Sequence, residues 1–282
     1  MKIGLVCPGG GMKGIYGAGV LDVFIDNDIN FNYCISASAG AANAVTFLAH
    51  QRDRTYRFYS RHSKSPDYMG VKSLIKTGSY FGVEYIYGKL TNEVDPLDFD
   101  VLYKSETEAK VVVTNCETGE PEYFDMKSVR KGDCKLLMAS SSLPAICKPI
   151  EINGKLYCDG GLSDPVPIKK AIADGCDKIV LVTSNITDGR KKPEKFQSLY
   201  PIAFKRFPQI AELMRTRHIK YNQAAEEIKK LEKEGRIIKI WPSENIKATM
   251  LTQNPKTLEE LYELGLRDAE KTIEQIQSGV KK

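Results

Sequence analysis

Short apolar runs rich in β-branched residues recur at positions 2–7, 31–36, 109–115, 122–126, 155–158, 178–183 and 237–241. Each has the length of a single strand, and none approaches the roughly 18 apolar residues that a membrane-spanning helix needs. Between several of these runs the apolar positions change to a helical period. Over 208–234 the residues Ile210, Leu213, Met214, Tyr221, Ala224, Ala225, Ile228 and Leu231 keep that period, with Gly235 as the expected stop. The stretch 165–175 reads as a helix entered by proline and left by glycine. A last helix is expected to start at Thr257, with Glu260 completing a capping box, and to continue through Leu261, Leu266, Ala269, Ile273 and Ile276. Strands alternating with helices predict an α/β fold: a mainly parallel central sheet flanked by helices. Ligands of such sheets gather at the carboxyl ends of the strands.

Three strand-like runs end in candidate chemistry. The first leads into Gly9-Gly10-Gly11-Met12-Lys13-Gly14, the second into Ser36-Ala37-Ser38-Ala39-Gly40, and the run 155–158 into Asp159-Gly160-Gly161. Successive glycines let a backbone approach a substrate closely and aim its amides at one point, as an oxyanion hole requires. Ser38 falls where a strand gives way to the small, helix-forming residues 40–45, the position of a nucleophile on a sharp turn. Ser36 is the rival, but the residue two beyond it is Ser38, whereas the residue two beyond Ser38 is Gly40. An Ala-Gly-rich turn with no catalytic role is the alternative for this motif taken alone. By default, an aspartate before two glycines is also only a turn residue. Gly9, Gly11 and Gly14 fit a dinucleotide fingerprint as well, but that fingerprint expects an acidic residue about 20 positions on, and the second strand leads to serines instead.

In order and context the three motifs resemble those of the patatin-like phospholipase family: G-G-G-x-[RK]-G, then G-x-S-x-G, then D-G-[GA]. Ala139-Ser140-Ser141-Ser142-Leu143-Pro144 is similar to that family's A-S-x-x-x-P segment. The resemblance covers about the first 185 residues and departs at Ser36, which replaces the first glycine of the elbow by another small residue. It implies a three-layer sandwich and a lipid acyl hydrolase of phospholipase A, lysophospholipase or esterase type. In that scheme Ser38 is the nucleophile and Asp159 acts as base and then acid, a dyad without histidine. The amides of Gly9, Gly10, Gly11 and Met12 form the oxyanion hole. Lys13, Gly14, Ser36, Gly40, Gly160 and Gly161 support it, and neither metal nor cofactor is called for. Of the three histidines only His218 follows Asp159; set among Arg215, Arg217 and Lys220, it reads as a surface residue. A noncatalytic lipid- or phosphate-binding module and an acyltransferase remain alternatives.

Length and composition add limits. With 282 residues, 42% of them hydrophobic, the chain can bury about 70–75% of its unfolded surface. The expected organisation is a catalytic core over 1–185, a basic, aromatic insertion or lid at about 52–90, and an extension over 186–282 packed on the same domain. Seven cysteines without a C-x-x-C pair read as buried apolar residues of a reducing compartment. The first residues enter a strand directly, without the pattern of a signal peptide, so a cytoplasmic location is expected. The net charge of +5 is unevenly spread: 52–76 holds seven basic residues against two acidic, and 190–220 nine against two. Eight aromatic residues between Tyr56 and Tyr87 interleave with the first cluster. Cations and rings together suit peripheral contact with an anionic membrane surface, alongside a lipid or other acyl-ester substrate. Stacking on nucleic acid is the weaker reading of the same mixture, and none is expected as a partner.

Overall fold

The computed structural model of the chain describes residues 1–185, 191–193 and 197–280. Its centre is a mixed sheet of eight strands: β1 (Ile3–Cys7), β2 (Tyr33–Ser36), β3 (Glu108–Asn115), β4 (Pro121–Asp125), β5 (Ile150–Ile152), β6 (Lys155–Asp159), β7 (Lys178–Val182) and β8 (Ile237–Ile240). The run β8-β7-β1-β2-β3 is parallel, whereas β4 and β6 pair with β3 antiparallel and β5 with β6 likewise. The three-residue β5 has no counterpart in the hydrophobic pattern. It is too short to show alternation and none of its residues is fully buried.

Register explains how distant motifs meet. Lys110 and Val111 of β3 pair with both β2 and β4, which must therefore lie on opposite edges of β3. Val113 and Thr114 pair with both β4 and β6, so β6 shares an edge with β2. Because β2 is parallel to β3 and β6 antiparallel, their carboxyl ends converge along that edge. Ser36 stands opposite Val111 and Asp159 opposite Val113.

The two sheet faces bury alternate residues, as a pleated strand requires. Leu5, Cys34, Val111, Val113 and Val180 pack with the helices Ile15–Asp26, Ala39–Leu48 and Pro255–Glu270. Val6, Ile35, Val112, Ile179 and Leu181 pack with the helices Ile168–Ala173 and Pro208–Lys233. The result is three layers. The C-terminal region is tied to the first helix by two long-range bonds: the Tyr16 hydroxyl donates to Asp268 (3.2 Å) and that of Tyr262 to Asp22 (2.9 Å). No helix among the described residues is long and apolar enough to cross a membrane.

Several local expectations need correction. The last long helix starts at Pro255, and its cap is Asn254, whose side chain accepts the Thr257 amide at 3.1 Å. The Thr257–Glu260 capping box does not form, because proline fits the first helical position without needing a donor there. A further helix, Ile273–Val280, follows it separately. In 165–175 only Ile168–Ala173 is α-helical, since Pro167 can enter a helix but cannot extend one backwards. Segment 52–90 folds as the helices Arg54–Ser60 and Val71–Thr77 and a π-helical stretch, Tyr85–Val94. Its aromatic residues face inward: Phe58, Tyr59, Tyr68 and Tyr87 are buried and none of the eight is exposed. Arg54 is buried against the Asp95 carbonyl, and Arg57 pairs with the Asp95 carboxylate at 2.7 and 2.8 Å. In the second basic cluster, Arg190, Glu194 and Lys195 lie outside the described residues.

Candidate active site

β1 and β2 are neighbours with Cys7 opposite Ser36, so Gly9 and Ser38, each two residues past its strand, arrive side by side. A Cβ on Gly9 would stand 2.9 Å from that of Ser38. The turn at Ser38 is sharp: the residue has φ 54° and ψ −128° and immediately precedes the helix Ala39–Leu48. Positive φ in a serine costs on the order of 1–3 kcal/mol and persists only where the surroundings over-determine it. Here they do. The Ala37 amide donates to the Cys7 carbonyl (3.0 Å) and that of Gly40 to the Ala37 carbonyl (2.9 Å). A Cβ on Gly40 would come within 2.0 Å of the Cys7 carbonyl oxygen. The Ser38 amide donates to Ser140 Oγ (2.9 Å), whose hydroxyl donates to the Val112 carbonyl (2.7 Å). Ser140 thus joins the turn to the β3 edge, a role that the sequence pattern of small residues at 139–144 did not single out.

Asp159 arrives from the opposite direction on the same edge. Its amide donates to the Ser142 carbonyl and its Oδ1 accepts the Gly161 amide, at 2.9 and 2.8 Å. Gly160 must be small, since a Cβ there would meet the Val112 carbonyl oxygen at 2.1 Å. Asp159 is 5% exposed, and burial raises its pKa above the ordinary aspartate value. Three groups oppose that rise by favouring the ionised form: the Ser38 hydroxyl by hydrogen bonding, the Arg217 charge, and the Gly161 amide. A serine hydroxyl close enough to a desolvated carboxylate to favour its ionised form is an arrangement in which a proton can move from oxygen to oxygen.

Among the described residues no group accepts a hydrogen bond from the amides of Gly9, Gly10 or Gly11. Met12 differs. Its amide donates to the Met250 carbonyl at 3.0 Å, so it is not free for a substrate oxygen, which corrects its place in the expected hole. Lys13 donates to Asn185 Oδ1 (2.5 Å), and Asn185 in turn donates to the Gly9 carbonyl (3.4 Å). Lys13 therefore braces the glycine loop against the end of β7, and burial lowers its pKa. Gly14 lies under the Tyr59 hydroxyl and Ala39. Ser36 is fully buried with its hydroxyl on the Lys110 carbonyl at 3.3 Å, which removes it as a rival nucleophile.

The glycine loop, the Ser38 turn and the end of β6 open onto one cavity of about 350 Å³, a volume suited to a small amphiphile. Gly9, Gly10, Gly11, Ser38 and Asp159 line it, and apolar walls come from the 52–90 segment through Phe58, Tyr59, Phe81, Val83 and Ile86. The facing wall is unexpected. Met214, Arg217, His218 and Tyr221 reach the cavity from the helix Pro208–Lys233. His218 is half-buried in that wall rather than a surface residue, because the helix turns its 214–217–218–221 stripe inward. The local sequence signal that placed His218 outside, its basic neighbours, describes the other faces of the same helix.

Fold and site together define an α/β protein in which a half-buried serine on a strained turn, a buried aspartate and a glycine loop line one cavity at the carboxyl ends of the strands. The sequence model of the patatin-like phospholipases matches residues 5–172, more than half the chain, and the protein belongs to that family of lipid acyl hydrolases. Residues 207–281 match a second model, described as a domain of unknown function, DUF6363. The Uncharacterized protein YjjU of Escherichia coli K12 is 24% identical over 270 residues, which span 94% of this chain and 75% of that protein. The crystal structure of VipD from Legionella pneumophila aligns with a TM-score of 0.48 at 14% identity, over 97% of this chain and 66% of that one.

Proposed function

We propose that the protein hydrolyses carboxylic esters of lipids through an acyl-enzyme. Asp159 takes the Ser38 proton as Ser38 Oγ attacks the ester carbonyl, and the amides of Gly9, Gly10 and Gly11 receive the developing oxyanion. The ester C–O bond then breaks, with the proton passing from Asp159 to the departing alcohol. Water, deprotonated by Asp159, attacks the acyl-serine; the acyl–Oγ bond breaks, Asp159 returns the proton to Ser38 and the fatty acid leaves. The raised pKa of Asp159 favours this reading, because a carboxylate pushed upward by burial is a stronger base than an exposed one. The observation that carries it is that the strained Ser38 turn, the buried Asp159 carboxylate and the glycine loop come to one cavity on converging strand ends.

Access from a lipid surface is part of the proposal. The helix Val71–Thr77 exposes Val71, Leu74 and Ile75 beside Lys72 and Lys76, and lies in sequence between the cavity-lining Tyr68 and Phe81. Apolar side chains flanked by lysines suit shallow insertion among anionic headgroups. The test is fatty-acid release from mono- and diacyl glycerophospholipids and acylglycerols, with and without an acceptor alcohol. Free fatty acid as the main product supports hydrolysis; a new ester with the acceptor as the main product would reassign the chemistry to transfer.

A further inference from the structure

On the family-matched side the cavity combines the apolar Phe58, Tyr59, Phe81 and Val83 with two cations that already have partners: Arg54, bonded to the Asp95 carbonyl and Thr46, and Lys13, bonded to Asn185. On the other side the stripe Met214, Arg217, His218 and Tyr221, spaced i, i+3, i+4 and i+7, belongs wholly to the region matching a domain of unknown function. Within that stripe Arg217 Nε is buried and has no hydrogen-bond partner among the described residues. Its guanidinium carbon stands 5.7 Å from the centre of the Tyr221 ring, within cation–π range. Its charge reaches Asp159 strongly enough to favour the ionised carboxylate. A buried guanidinium N–H without an acceptor is costly, and proteins keep such donors where something else supplies the oxygen.

We propose that the C-terminal region selects the substrate, and that Arg217 binds an oxyanion carried by the alcohol part of the ester. The substrate class is then an anionic amphiphile: an acyl chain against Phe58, Tyr59, Phe81 and Val83, the ester at Ser38, and a phosphate or carboxylate a few atoms further on at Arg217. A planar fork of donors suits either oxyanion. This inference rests on the catalytic reading above for its turnover measurements and stands without it for binding. A merely electrostatic Arg217, present only to ionise Asp159, is the competing account. The two differ in one respect. Loss of an electrostatic aid slows every ester alike, whereas loss of an oxyanion partner penalises the charged ester more.

The experiment compares 1-palmitoylglycerol 3-phosphate, the palmitoyl ester of glycerate and neutral 1-palmitoylglycerol on the wild type, Arg217→Lys and Arg217→Met. Melting temperatures establish that each variant folds, and the measurements are made well above the acid limb of the activity profile. Arg217→Met is expected to lower activity on all three, but the ratio of kcat/KM on the anionic esters to that on the neutral ester falls by roughly 10- to 100-fold, mainly through KM. Arg217→Lys, which keeps the charge but not the fork, restores part of the ratio. The phosphate and carboxylate arms show which oxyanion is preferred. An equal loss on all three esters overturns the proposal. If the wild type hydrolyses none of them, the catalytic reading fails, and titration of Ser38→Ala with dodecyl phosphate still decides this one. Binding that weakens at least tenfold when Arg217→Met is added supports it, and unchanged or absent binding rejects it.

Discussion

The two sides of the cavity were assembled by different means. On the β3 edge, Ser38, Asp159 and the glycine loop sit at strand ends, and each is held by backbone contacts so close that single atoms decide them: 2.0 Å from Gly40 to Cys7 and 2.1 Å from Gly160 to Val112, were a Cβ added. Across the cavity, Arg217, His218 and Tyr221 project from one helix face and depend on that helix packing against the sheet through Ile228 and Leu231. Reaction geometry demands fixed backbone, so it leaves short rigid motifs. Recognition needs only a side chain of the right charge at the right distance, and many sequences supply that.

That contrast can be broken by substitution. Ser38→Ala and Asp159→Asn are each expected to lower ester hydrolysis about a thousandfold or more, with the double variant little worse than either alone, because the pair acts as a unit. Steady-state kinetics would reject the pairing if the two losses simply multiplied. A smaller loss is expected from Ser140→Ala, which removes the bridge from the Ser38 amide to the Val112 carbonyl. The expected cost is about 1–2 kcal/mol in stability, read by chemical denaturation, with turnover down by about tenfold.

Two further expectations concern protons. Arg217 favours the ionised form of Asp159, so Arg217→Met should raise the Asp159 pKa and move the acid limb of the activity profile to higher pH. A limb that stays in place, or moves to lower pH, would separate Arg217 from the carboxylate. The smallest effect is on stability. A carboxyl whose folded pKa lies above its unfolded value binds its proton more tightly when folded. The resulting penalty is absent below the unfolded pKa, grows as pH rises through the folded one and is complete beyond it. At neutral pH Asp159→Asn should therefore melt at the same temperature as the wild type or slightly above it, its lost activity reflecting chemistry and not misfolding. A clear fall in melting temperature would mean that the carboxylate also holds the fold.

Legibility in the sequence followed the same division. The parallel strands announced themselves because their runs are mostly apolar and β-branched and largely buried on both faces, and the three motifs because tight turns tolerate only small residues. The short β5, the Asn254 cap and the break after Glu270 escaped, each depending on one or two residues whose partners lie elsewhere. Met12 was misplaced in the oxyanion hole because its amide bond to Met250 spans most of the chain. The same distance hid the inward turn of Arg217 and His218, which a helical period shows only as one face among several. The aromatic residues of 52–90 fit a lipid-facing patch, a lid or plain structure equally well in the sequence, and only tertiary packing shows them as a wall of the cavity and the core behind it.

The central claim is that Ser38 is an activated nucleophile whose activation comes from Asp159. Labelling the purified protein with a fluorophosphonate, and locating the adduct by peptide mass spectrometry, tests it most directly, with Ser38→Ala and Asp159→Asn alongside. The account predicts a single adduct on Ser38, none in Ser38→Ala and a strongly slowed reaction in Asp159→Asn. An unlabelled, folded wild type, or labelling of Ser38 at an unchanged rate in Asp159→Asn, would contradict it.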